Sequence, residues 1–137
     1  MWIVYALLSA LFASLTAIFA KIGVKDVDSD LATAIRTIVI LVVAWGIAFF
    51  KGSVAGIFVL SKHNLLFLLL SGIATGLSWI FYFKALQIGK VSQVAPVDKL
   101  SVALTILLSV VFLHEALSLK AFFGACLIIA GTLVLIL

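Results

Sequence analysis

Read for hydropathy alone, the chain is five long apolar stretches joined by short polar ones, at about 2–22, 31–50, 64–86, 92–113 and 118–137. A bilayer core takes about 20 apolar residues per helix, and each stretch meets that length. The pattern predicts an all-α fold: a polytopic integral membrane protein with five transmembrane helices, residues 1–137 forming a single domain. Short connections make sequence neighbours antiparallel, and an odd number of spans puts the two termini on opposite sides. The first stretch is too long for a signal-peptide core of about 7–15 residues, and no positive charge precedes it, so it reads as an uncleaved span. Between the second and third stretches, AGIFVL is too short to cross and is expected to lie along the interface. Ser29 or Asp30, in the polar turn KDVDSD, is expected to cap the second helix.

Polar positions inside the apolar stretches change the picture. The segment from Gly76 to Ser101 carries Lys84, Lys90, Asp98 and Lys99, with Pro96 just ahead of the acid. An ionisable side chain at membrane depth costs roughly 2.5–3.5 kcal/mol on insertion scales, which makes each one a candidate functional residue. In the first helix Ala10, Ser14, Ala17 and Lys21 share a face, and in the second Thr33, Arg36 and Thr37 do. Lys21 and Arg36 either snorkel to the headgroups or line a cavity. The third helix has a polar stripe, Ser71, Thr75, Ser78 and Tyr82, beside a GxxxG formed by Gly72 and Gly76. Trp79 and Tyr82 suit interface anchors or a pocket wall. A second stripe, Asp98, Ser101, Thr105 and Ser109, runs down the fourth helix. Lys99 points about 100° away from Asp98 on a regular helix, so Asp98 is expected to pair with a base on another helix. Pro96 falls early enough to loosen only the first turn and free backbone carbonyls. Gly89 is expected to end the third helix. Glu115 is either a solvated loop acid or an acid at the N-terminus of the fifth helix. That helix has no charge after Lys120 and is expected to face lipid or a second copy.

Composition agrees with the pattern: 66% of residues are hydrophobic and 10% charged, against about 45–50% and about 25% in soluble domains. The net charge of +4 does not point to nucleic acid, because the bases sit at helix ends and inside helices. The lone Cys126 lies in an apolar run, so neither a disulfide nor a cysteine metal site is expected. No HExxH, GxSxG, phosphate loop or paired carboxylates appear, so no enzyme, metal or cofactor is expected. Of the 9 Lys and Arg residues, Lys21, Lys25, Arg36, Lys84, Lys90 and Lys99 share one side, with Lys51, Lys62 and Lys120 on the other. Discounting the four inside or at the edge of helices leaves the loops nearly balanced, which permits insertion both ways round, a dual topology. Five helices hardly enclose a polar cavity alone. A homodimer is expected, antiparallel slightly favoured over parallel, with a paralogous heterodimer as the alternative.

Several stretches resemble the EamA-like domain of the drug/metabolite transporter superfamily, in its short five-helix bacterial and archaeal form. They are AIFAKIGV at 17–24, LATAIRT at 31–37, SGIATGLSWIFYFKALQIGKVSQVAPVDKLS at 71–101, LHEAL at 113–117 and GACLIIAGTLVL at 124–135. Longer members hold two such domains in opposite orientations, and this chain resembles one half, a half-transporter. The resemblance implies a carrier of small metabolites or drugs working by alternating access in the cytoplasmic (inner) membrane of a prokaryote. It puts the basic positions at Lys21, Arg36 and Lys84, the proline–acid–base element at Pro96, Asp98 and Lys99, and the acid closing the fourth helix at Glu115. His114 stands where a small residue such as glycine is usual.

Four bases in the spans against one acid favour an anionic or zwitterionic substrate. The expected substrate-binding set is Lys21, Arg36, Trp79, Tyr82, Lys84, Asp98 and Lys99, with Ser71, Thr75, Ser78, Ser101 and Thr105 lining the path. Pro96, Glu115, Gly72 and Gly76 are expected to be structural. Asp98 pairs with a base when the site is empty or carries a coupling proton. The rival readings are a lipid-linked-sugar flippase subunit and a non-transporting membrane scaffold.

Overall fold

A computed structural model describes residues 2–137. It is 87% helical, and no strand occurs among the described residues. The elements are α1 (Trp2–Gly23), α2 (Ser29–Phe50), a short 3-10 helix (Ser53–Val59), α3 (Lys62–Ile88), α4 (Val91–Asp98), α5 (Leu100–Leu113) and α6 (Leu119–Ile136). Five spans are long and apolar enough to cross a membrane: α1, α2, α3, the stretch Val91–Leu113 formed by α4 and α5, and α6. Their limits fall within two residues of those read from hydropathy.

Each connection carries its own punctuation. Asp28, not Ser29 or Asp30, caps α2: its carboxylate accepts from the N–H groups of Asp30 and Leu31, both at 3.0 Å. The helix begins at Ser29, so Ser29 and Asp30 are already inside its first turn. Ser61 Oγ accepts from Asn64 N–H at 3.1 Å, and Ser118 Oγ accepts from Ala121 N–H at 3.1 Å at the start of α6. Gly52, at φ 69°, makes the left-handed turn into the 3-10 helix, whose seven residues are mostly exposed. Gly89 stands just past the end of α3.

The chain divides into two compact units. One is Ala20–Gln87. Its core gathers the end of α1, the start of α2 and the end of α3, with Ala20, Val24, Phe83 and Leu86 buried alongside Ser29 and Thr33. The other combines α1 up to Phe19 with Ile88–Leu137. Within it α6 packs on α4 and α5, and Thr132 is buried. Elsewhere most apolar side chains are outward: the majority of Leu, Ile, Val and Phe in the spans are more than one-third exposed. Inside a bilayer such surface faces lipid at no hydrophobic cost, and packing between small residues becomes the cohesive force.

Threonine hydroxyls in the spans bond back to the preceding turn. Thr33, Thr37, Thr75, Thr105 and Thr132 each donate to the carbonyl four residues earlier at 2.8 Å. That satisfies the hydroxyl proton inside the helix and lets a polar stripe persist in an apolar medium.

Candidate functional site

In the Ala20–Gln87 unit the end of α1 and the end of α3 exchange hydrogen bonds. Lys21 Nζ donates to the carbonyl of Leu86, in the last turn of α3. A helix leaves its final carbonyls unpaired and partly negative, so a lysine there satisfies both a hydrogen bond and the dipole. In return Gln87 Nε2 donates to the carbonyl of Val24 at 3.2 Å and to that of Val27. These two carbonyls lie just beyond α1, where no helix supplies a donor. Lys21, Val24, Lys25, Asp26 and Gln87 line an open cavity of about 360 Å³ beside this clasp.

Two turns into α2, half-buried Arg36 meets α3. Its guanidinium carbon lies 4.1 Å from the centroid of the Trp79 ring and 5.1 Å from that of Phe83. Trp79 and Phe83 share a face because four residues make just over one turn, and Leu86 continues that face into the core. A cation over an aromatic face is stabilised by about 0.5–1 kcal/mol when exposed and about 2 or more when desolvated. Tyr82 is half-buried, its ring edge-on to Phe83 at 6.3 Å. Among the described residues no carboxylate pairs with Arg36.

Lys84 is elsewhere. At 3.6 residues per turn it lies about 140° around α3 from Trp79, and it is exposed. The structure therefore brings Arg36, Trp79 and Tyr82 together, sets Lys21 in the clasp, and leaves Lys84 on the other side of α3. Ser71, Thr75 and Ser78 are exposed along α3. Gly72 and Gly76 are open: a Cβ at either would meet nothing within 4 Å.

In the other unit the fourth span is broken at Lys99. The N–H of Lys99 reaches the carbonyls of Ala95 at 3.3 Å and Pro96 at 3.0 Å, and Val102 N–H bonds back three residues to Lys99 at 3.0 Å. These are bonds of a tightened turn. Pro96 lacks an N–H, and its own carbonyl lies 3.2 Å from Thr132 Oγ1 of α6, whose one proton it shares with the nearer Ile128 carbonyl at 2.8 Å. The proline thus acts beyond the first turn that the sequence suggested, three residues downstream. The pairing of Asp98 also differs from that expected. Its partner is Lys99, with Nζ 3.1 Å from the carboxylate, and not a base from another helix. The two residues are neighbours in sequence, and the lysine stem is long enough to turn back to the carboxylate beside it. Ser101 and Thr105 follow on α5, both exposed. Glu115 is exposed and lies outside the first turn of α6, which starts at Leu119. Its backbone N–H accepts a structural task, donating to the Ser109 carbonyl at 3.3 Å.

Phe83, Gln87 and Thr132 were not singled out by sequence reasoning. Phe83 was legible as the residue one turn after Trp79. Gln87 sits one turn further, the last polar residue before Gly89. Thr132 carries no signal within an otherwise apolar helix.

Apolar helices crossing five times, with ionic side chains inside the spans, define a polytopic membrane protein. A profile described as the EamA-like transporter family matches residues 1–137, and the chain belongs to that family of membrane transporters. It is 48% identical over 134 residues to a Sinorhizobium protein named "Uncharacterized transporter in cobO 3'region", covering 98% of this chain and 95% of that one. It is 32% identical over 79 residues to an uncharacterized protein of Methanocaldococcus jannaschii, covering 58% of each. No solved structure matches.

Proposed function

We propose that this transporter carries small anionic or zwitterionic metabolites or drugs across a prokaryotic cytoplasmic membrane by alternating access, as a homodimer of oppositely inserted copies. The observation that carries the substrate class is the charge balance in the spans. Lys99 is answered locally by Asp98, which leaves Arg36 at membrane depth with no acid paired to it among the described residues. Lys21 and Lys84 add positive potential at the same end of their helices. A low-dielectric path lined this way attracts anions and repels cations. The hydroxyl stripes, Ser71, Thr75 and Ser78 on α3 and, in the other unit, Ser101 and Thr105 on α5, are the weak polar contacts that each unit offers a substrate. Asp98 is the coupling group: its protonation would release Lys99.

The cavity holding Lys21 and Lys25 favours one alternative, a flippase subunit that grips a lipid phosphate at one leaflet. Flux into reconstituted vesicles separates the two. The carrier reading expects uptake of water-soluble organic anions, lost in the triple variant K21A/R36A/K84A. Movement of a polyprenyl phosphate without such uptake supports the flippase. Absence of any flux, with K21A, R36A and K84A changing stability alone, would reduce the protein to a scaffold. D98N is expected to abolish proton-coupled uptake, and intact coupling in D98N would remove Asp98 from that role.

A further inference from the structure

The guanidinium of Arg36 is the most constrained cation in the spans. Trp79 and Phe83 cover it from α3, at 4.1 and 5.1 Å from their ring centroids. An aromatic ring is a poor acceptor for the fork of N–H donors along a guanidinium's edge, so those donors stay available to another partner. That edge matches the two oxygens of a carboxylate, and a guanidinium does not surrender its proton to escape the membrane.

We propose that Arg36 is the specificity-determining residue of the carrier, a seat for the single carboxylate of a small organic monoanion whose apolar body lies against Trp79. The proposal rests on the carrier reading and narrows its substrate class. Within Ala20–Gln87 the local charge at this depth is that of one guanidinium. Lys84 lies about 140° around α3 by helical geometry, and Lys21 is directed to the Leu86 carbonyl two turns nearer the helix ends. A phosphate dianion therefore finds one charge too few. No carboxylate accompanies Arg36 among the described residues, so the ammonium of a zwitterion finds no counter-charge. The walls are aromatic, which favours an apolar body over a sugar.

Trp79 reports on its own site. The chain has three tryptophans, so Trp2→Phe with Trp45→Phe leaves Trp79 alone. Purified single-tryptophan protein is titrated with benzoate, its neutral isostere benzamide, phenylalanine and phenylphosphate, while Trp79 emission is followed. Benzoate is expected to give a saturable change and the other three a much weaker one. Arg36→Gln is expected to weaken benzoate binding by about 10–100-fold, the value of a charge-assisted hydrogen bond of about 1.5–3 kcal/mol. Arg36→Lys keeps the charge, loses the fork, and is expected to fall between. If Arg36→Gln does not fold, the shift in unfolding temperature that each probe gives the unsubstituted protein decides the same ranking. Benzamide binding as well as benzoate, phenylphosphate or phenylalanine binding more tightly, or Arg36→Gln binding like the parent each overturns the seat.

Flux in vesicles keeps the two readings apart. Organic-anion uptake that survives Arg36→Gln at the parent rate sinks the seat and leaves the carrier standing. A clear Trp79 response to benzoate in a protein that moves no solute sinks the carrier and leaves a carboxylate-binding membrane protein.

Discussion

His114 takes φ 54° and ψ 29° at the end of α5, a left-handed conformation that costs an L-residue other than glycine roughly 1–2 kcal/mol. It does so to close the helix. The N–H groups of His114 and Glu115 both converge on the Ser109 carbonyl, an arrangement that needs a left-handed residue at this point. The resemblance that puts a small residue here thus has a physical cause, since glycine adopts that φ freely. His114→Gly is expected to raise stability by up to about 1 kcal/mol, the strain relieved less the entropy glycine loses. His114→Val should lower it by about 1–2 kcal/mol, both read from thermal unfolding in detergent. Asp98 and Lys99 behave differently. Their side chains are 34% and 57% exposed, and an exposed pair contributes at most about 1 kcal/mol. Lys99→Ala should therefore leave thermal stability nearly unchanged, so any flux it loses reflects transport and not folding.

The fourth span shows what a single proline does to a membrane helix. Pro96 was visible in the sequence, and so was its place in an apolar run. The tightened turn at Lys99, three residues on, was not, because the Pro96 carbonyl that accepts from Lys99 N–H also takes a donor from outside its own helix. The donor is Thr132, 36 residues away, on a helix whose pattern is otherwise uniformly apolar. Thr132→Val keeps the shape and removes the hydroxyl; it should cost about 0.6–1.7 kcal/mol, the range for hydrogen bonds between membrane helices. Pro96→Ala should restore an unbroken helix through Lys99, seen as slowed amide exchange at residues 97–100. The five spans themselves were legible because length and apolarity alone decide whether a helix crosses. The Arg36 stack was half legible: residue types were evident, but its partner Phe83 and the far placement of Lys84 needed the rotation of α3.

At the scale of the whole molecule, most apolar surface is outward and the polar stripe of α3 is open. Gly72 and Gly76 lie on that helix with space for a side chain. Gly76→Ala adds only a Cβ, which meets nothing within 4 Å in its own copy. It is expected to lower the cross-linked dimer fraction at least severalfold if α3 faces α3, while the monomer keeps its helix content by circular dichroism. An unchanged dimer fraction would put the contact on another helix. Charge counts do not fix the proposed dimer or its direction, since the loops are nearly balanced. Reporters on the two termini answer it: an inverted pair shows each terminus on both sides of the membrane.

The clasp between α1 and α3 also has a timetable. Lys21 is synthesised 65 residues ahead of the Leu86 carbonyl it binds, and Val24 waits 63 residues for Gln87. At about 5–20 residues per second those intervals last roughly 3–13 s. Within that time α2 is made and can take its Asp28 cap, while the Val27 carbonyl has only water to serve it and the Val24 carbonyl only the 3.4 Å bond from Val27 N–H. The first hairpin is thus assembled on the ribosome without its final fastening. Its orientation is sealed only when the last turn of α3 arrives.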